Sequence, residues 1–217
     1  WSHGRSDAPG SEPYEVETLA DDHWAFAQAL GLKEFAVIGL SVGGMWGAHL
    51  ALDHPEAVRA LVIMDSFVGP EPEETLTRYF QMMAAIEQTG AIPEPMIDAI
   101  VPLFFSPATF AEKPQLVEGF KARLSSLPPE QIPGILSIGR GIFSRKSIFD
   151  RLGEITMPSL VLVGADDLSR PPHEARAMAE ALPGGRLEVI DGAGHISNLE
   201  RPAEVTALLA AFLEGAL

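Results

Sequence analysis

Ser41 lies in the run Val37-Ile38-Gly39-Leu40-Ser41-Val42-Gly43-Gly44-Met45-Trp46-Gly47. A serine hydroxyl is a weak nucleophile until a base takes its proton, and the base needs a third group to orient it. The four glycines around Ser41 lower helix propensity and cost backbone entropy, so something must need their missing side chains. A strand that turns abruptly into a helix has that need. The turn is too tight for Cβ atoms two residues before and two residues after the serine, which accounts for Gly39 and Gly43. Gly44 and Gly47 let the helix approach its neighbours. Ser41 is then raised above the sheet at the positive end of the helix. The Val42 N–H faces any oxyanion formed on a carbonyl that Ser41 attacks.

An elbow of this kind orders its chemistry along the chain as serine, then a carboxylate, then histidine. The carboxylate is expected after a later strand, and Leu160-Val161-Leu162-Val163-Gly164-Ala165-Asp166-Asp167 offers two. Asp167 is favoured because the acid usually stands three residues after the glycine that ends the strand, here Gly164. Asp166 remains an alternative. So does Asp65, at the end of Leu61-Val62-Ile63-Met64-Asp65. The histidine is expected late, in a loop after the last strand. His195 stands there in Gly192-Ala193-Gly194-His195-Ile196-Ser197-Asn198-Leu199-Glu200. The remaining histidines, at 3, 23, 49, 54 and 173, show no ligand spacing. Ser197 to Glu200 fits a capping box. Pro202 competes with it, so a turn is expected at 197–200 and a helix from 202.

These residues need a scaffold, and the hydrophobic pattern supplies one. Residues 34–40, 59–65, 159–167 and 185–191 are short apolar runs that read as buried strands. Between them lie a helix over 14–31 that stops at Gly31, a helix after Ser41 that ends before Pro55, and an Ala-rich helix over 172–182. A last amphipathic helix carries Val205, Leu208, Leu209, Phe212 and Leu213 on one face. Strands that alternate with helices predict βαβ units and a mostly parallel sheet flanked by helices. Residues 70–152 break the alternation with four helical stretches and read as a helical cap inserted into an α/β core of 1–69 and 153–217. Met45, Trp46, Met82, Met83, Phe104 and Phe105 offer apolar surface for a pocket beneath it. The later cap is locally basic through Arg140, Arg145, Lys146 and Arg151, and Arg140 is a candidate partner for a substrate carboxylate.

Composition narrows the class. The 217 residues carry 15 Lys and Arg against 30 Asp and Glu, a formal net charge of −15. That balance opposes nucleic acids and anionic membranes as main partners. The sequence holds no cysteine, hence no disulfide, thiolate nucleophile or cysteine-ligated metal. A cytoplasmic protein without metal or cofactor is expected, acting on a small molecule.

Gly39–Gly47, Leu160–Pro172 and Gly192–Pro202 together resemble the α/β-hydrolase superfamily, and within it the 3-oxoadipate enol-lactonases and related esterases. The resemblance runs over nearly the whole chain from His3 onward. It implies that Ser41 is nucleophile, His195 base and Asp167 orienter, that Val42 serves the oxyanion, and that an ester or lactone is opened through an acyl-enzyme. A carbon–carbon bond hydrolase would use the same triad, and a non-catalytic binding protein on the same fold is a further reading. Residues 1–10 resemble the loop after the fourth strand of that family. The expectation is therefore a chain without the first strands and without the loop that donates a second oxyanion N–H, unless Ser2-His3-Gly4 takes both parts. The strand at 34–40 would then have an open flank, covered by a further segment or by another copy of the chain.

Overall fold

The computed structural model describes residues 1–9 and 14–217. Gly10, the end of the first loop motif, therefore lies outside the described residues. The elements run α1 (Val16–Ala29), β1 (Phe35–Leu40), α2 (Val42–Asp53) and β2 (Val58–Met64), followed by a helical block. That block comprises α3 (Glu73–Thr89), α4 (Glu94–Phe104), α5 (Pro107–Glu112), α6 (Pro114–Ser125) and α7 (Ile132–Phe143). The chain then returns through β3 (Ser159–Gly164), α8 (Pro172–Ala181), β4 (Arg186–Ile190), α9 (Ser197–Glu200) and α10 (Pro202–Ala216).

The four strands form one sheet in the order β1-β2-β3-β4, and every pairing is parallel. Alternation along the strands divides the core. Leu61, Ile63, Val161 and Val163 face Ala48, Leu50, Ala51, Ala175 and Met178, the inner surfaces of α2 and α8. Ala60, Val62, Met64, Leu160 and Leu162 face Val205 and Phe212 of α10. A sheet buried on both faces needs the continuous apolar runs that the sequence displays. β1 pairs with β2 on one side, and its Ile38 is 45% exposed.

The register brings the strand ends level. Gly39 pairs with Ile63, Met64 with Leu162, and Gly164 with Ile190. The next residues extend the ladder: Ser41 N donates to Met64 O, Asp65 N to Leu162 O and Ala165 N to Ile190 O. Every residue that leaves a strand at its C-terminal end therefore emerges on one rim, where α/β folds place their ligands.

The helical block sits over that rim and has its own small cores, one around Met83, Ile86, Ile132 and Leu136, the other around Ile97, Val101, Phe105 and Val117. Pro102 lies within the last turn of α4, and the helix ends at Phe104. Among the described residues no helix is long and apolar enough to cross a membrane.

Leu61 has no exposed surface and lies at the centre of the α2–α8 face of the sheet. Leu61→Ala is expected to cost roughly 2–5 kcal/mol, read as a lower urea midpoint with an unchanged slope.

Candidate active site

The elbow around Ser41 has the geometry that Gly39, Gly44 and Gly47 suggest, but not the crowding expected at Gly43, where a Cβ would meet only the Trp46 ring nitrogen at 3.9 Å. A Cβ built on Gly39 would stand 2.1 Å from the Gly43 carbonyl oxygen. One built on Gly44 would meet the Ser66 side chain at 2.8 Å, and one on Gly47 would meet Val37 at 2.9 Å. Ser41 itself has φ +55° and ψ −119°, a strained conformation for a residue with a side chain. Ser66 Oγ donates to the Ser41 carbonyl oxygen at 2.6 Å and braces the turn from β2. Val42 opens α2, whose bonds to Ser41 O come from Gly44 N and Met45 N. The first N–H groups of a helix stand outside its ladder, so the Val42 N–H is free to serve an oxyanion.

His195 Nε2 lies 3.0 Å from Ser41 Oγ, and Nδ1 lies 2.9 Å from Asp167 Oδ2. A carboxylate only accepts, so Nδ1 carries the ring hydrogen and Nε2 is left to accept from the serine hydroxyl. The other oxygen, Asp167 Oδ1, accepts from Ser169 N and Arg170 N, each at 2.8 Å. His195 and Asp167 are both buried. Asp166 is exposed and donates its backbone N–H to Ala193 O at 2.9 Å. Of the two neighbours after β3, Asp167 is thus the one that meets the histidine.

Asp65 does different work. Its Oδ1 accepts from Gly164 N at 2.9 Å, and its Oδ2 accepts from Ser197 Oγ at 2.6 Å and Ser197 N at 3.3 Å. It makes no bond to His195; it ties the end of β3 to the turn after the histidine. The capping-box reading of Ser197 and Glu200 is corrected by the same contacts. Ser197 gives both its donors to Asp65. Glu200, fully buried, accepts from Gly194 N at 2.7 Å and Ser106 N at 2.8 Å. Glu200 therefore closes no capping box on Ser197; its carboxylate is taken by two amide donors from outside α9. The expected break at 201 is present, with α9 a single turn and α10 beginning at Pro202. His195 N donates to Phe104 O at 2.9 Å, so the histidine loop is also fixed to the end of α4.

A cavity of about 260 Å³ opens on Ser41 and His195. Val42, Met45, Met82, Met83 and Phe104 line it, along with Tyr79, Ile86, Ile100 and Phe143. Three proposed pocket residues lie elsewhere. Trp46 stacks on His23 of α1 with centroids 3.7 Å apart, because it leaves α2 on the face turned to α1. Phe105 follows the last residue of α4 and turns into the core beside Val117, where it borders a separate groove with Phe110 and Leu168. Arg140 is half-buried, bonds Glu87 at 2.7 Å and is not part of the cavity lining. Residues 2–4 lie outside the lining too: Ser2 packs against Gly134 of α7. Arg170, which the sequence did not single out, does line the cavity, and buried Glu71 holds its guanidinium.

A family with the alpha/beta hydrolase fold matches residues 2–89 and 133–202. The chain belongs to the α/β-hydrolase family. Solved structures similar to this α/β-hydrolase chain include a thermophilic esterase from Thermogutta terrifontis. It superposes with a TM-score of 0.88 at 27% identity, over 98% of this chain and 76% of that one. Another is Est816, described as an N-acyl homoserine lactone degrading enzyme, with a TM-score of 0.80 at 32% identity, over 97% of this chain and 79% of its own. A RutD protein of Klebsiella pneumoniae subsp. pneumoniae, whose given name assigns it provisionally to carbamate hydrolysis, is 29% identical over 200 residues. The match covers 90% of this chain and 72% of that protein.

Two outcomes follow from the clamps. Gly39→Ala forces the elbow open and is expected to cost roughly 2 kcal/mol or more of stability, measured by urea denaturation. Burial pushes the Asp65 carboxyl up from 3.8 to about 7, and the nearby Asp167 charge adds to it; the Ser197 bond, the His195 ring and the Gly164 N–H pull the other way without prevailing. Folding therefore favours the protonated acid. The stability it contributes is complete below pH 3.8 and is lost as pH rises through about 7. Asp65→Asn cannot ionise, so the melting temperature of the native chain should fall relative to this variant across that interval, as calorimetry at stepped pH would show.

Proposed function

We propose that this chain is a serine hydrolase that opens carboxylic esters or lactones through an acyl-enzyme. The observation that carries the reading is the unbroken line of hydrogen bonds from Ser41 Oγ through His195 to Asp167, at 3.0 and 2.9 Å, with Ser41 and His195 lining a largely apolar cavity.

In the proposed sequence His195 Nε2 takes the Ser41 proton as Oγ attacks the carbonyl carbon. Asp167 holds the ring in the required tautomer and stabilises the imidazolium. The Val42 N–H meets the developing oxyanion at the positive end of α2. The tetrahedral intermediate collapses, the carbonyl–oxygen bond to the alcohol breaks, and His195 gives its proton to the departing oxygen. A water molecule then attacks the acyl-enzyme by the same steps in reverse. In a lactone the leaving oxygen stays tethered to the acyl group, and the product is a hydroxy acid. The cavity has room for an acyl group of roughly six to eight heavy atoms, taking about 30 Å³ for each group of water size. The esterase and the lactone-degrading enzyme among the similar structures support both leaving-group types.

A fluorophosphonate probe tests the reading, because its capture needs an activated serine with oxyanion support. The expected result is one modified peptide containing Ser41, with labelling abolished in Ser41→Ala and reduced about 10³-fold or more in rate in His195→Ala. A folded chain that reacts elsewhere or not at all would sink the proposal.

A further inference from the structure

Beside the catalytic cavity lies a cluster of charges that the chemistry above does not use. Glu71 stands between β2 and α3, where the chain enters the cap. Arg145 follows α7, where the chain leaves the cap. Arg170 lies in the turn after β3, three residues beyond Asp167. Glu174 is in the first turn of α8. One Glu71 oxygen, Oε1, accepts from Arg145 at 2.9 Å and also from Arg170. Arg170 lies 3.7 Å from Glu174. The side chains of Glu71 and Arg145 are each 2% exposed, and that of Arg170 is 7% exposed. Two cations thus balance two anions in a place where water contributes little screening.

The charges balance, but the hydrogen bonds are incomplete on both sides. Arg145 Nε and one of its terminal nitrogens are buried without a hydrogen-bond partner. Both arginines draw on the same oxygen of Glu71, and the other carboxylate of the cluster, Glu174, stands 3.7 Å from Arg170 with its Oε2 buried and without a hydrogen-bond partner. Without Glu71 the cluster would hold two guanidinium groups against Glu174 alone, and one of the two, Arg170, lines the cavity. A buried guanidinium that lacks a counter-ion binds a carboxylate strongly, often through two parallel hydrogen bonds. Apart from the catalytic pair and Ser169, the rest of the lining offers aliphatic groups, thioethers, rings and a phenol, and among the described residues Arg170 is its one cationic side chain other than the histidine.

We propose that Glu71 sets the substrate class of the site: by neutralising Arg170 at the cavity wall, it reserves the cavity for esters and lactones with uncharged, apolar acyl groups and excludes acyl groups that end in a carboxylate. The proposal rests on the serine-hydrolase reading above. Arg140, the sequence candidate for a carboxylate partner, pairs with Glu87 and is not among the residues lining the cavity.

The test compares kcat/KM for para-nitrophenyl hexanoate and for mono-para-nitrophenyl adipate, two esters of equal chain length that differ by a terminal carboxylate. The native chain should favour the neutral ester by about 100-fold or more, the penalty of placing an unpaired carboxylate in an apolar site. Glu71→Gln keeps the shape and removes the charge; it should narrow that preference by about 10-fold or more as Arg170 becomes available to the adipate. Glu71→Asp keeps the charge and should keep the native preference. Adding Arg170→Met to Glu71→Gln should restore it. A merely structural Glu71 would lower both rates together and leave their ratio unmoved. Equal use of the two esters by the native chain would overturn the proposal, and that measurement needs no variant to fold. So would matching shifts in the Gln and Asp variants. A folded chain that cleaves neither ester and takes no fluorophosphonate would overturn the hydrolase reading as well, which separates the two failures.

Discussion

Glu200 has no exposed surface, yet it carries a carboxylate into the interior, a transfer that costs several kcal/mol unless the charge is well met. It is met by the backbone N–H groups of Gly194 and Ser106. The position of His195 depends on that pair of bonds, because the first fixes the residue before the histidine and the second fixes the corner of the cap above it. Asp65 repeats the device one level lower by gathering Gly164 and Ser197. Asp167 instead turns its free oxygen back on its own loop, to Ser169 N and Arg170 N. Strand register brings three loops to one rim, but loops are free to wander from a rim. Carboxylates that collect amide hydrogens from two loops at once convert proximity into a fixed distance, which preorganised chemistry requires.

Much of this was legible in the sequence. The four apolar runs became the four strands within a residue or two, except that the third strand stops at Gly164. A strand buried on both faces leaves little room for polar residues, and its pattern is therefore loud. The elbow was legible for a related reason: a Cβ at Gly39 would collide with backbone, so the glycine is demanded locally. The order of Ser41, Asp167 and His195 was legible because it follows chain direction.

The illegible parts were those decided across long separations. Ser197 and Glu200 have the spacing of a capping box, and only the fold brings Asp65, 132 residues from Ser197, close enough to claim the serine. Nothing in the spacing of Glu71, Arg145 and Arg170 announces a cluster, since the separations are 74 and 99 residues. Trp46 and Met45 are neighbours on one helix, and periodicity says that they face apart without saying which one faces the cavity. Phe104 and Phe105 pose the same problem at the end of α4, where the helix stops between them. The short helix α5 escaped notice because it is only six residues long.

The bond from His195 N to Phe104 O joins the proposed general base to the last residue of a cap helix whose side chain also lines the cavity. Cap and base are therefore one mechanical part. Any displacement of the end of α4 would be carried through this bond to the backbone of the residue placed to take the Ser41 proton. Changes in the α4–α5 corner should accordingly be felt in turnover as well as in affinity, although no side chain there touches the proton being moved.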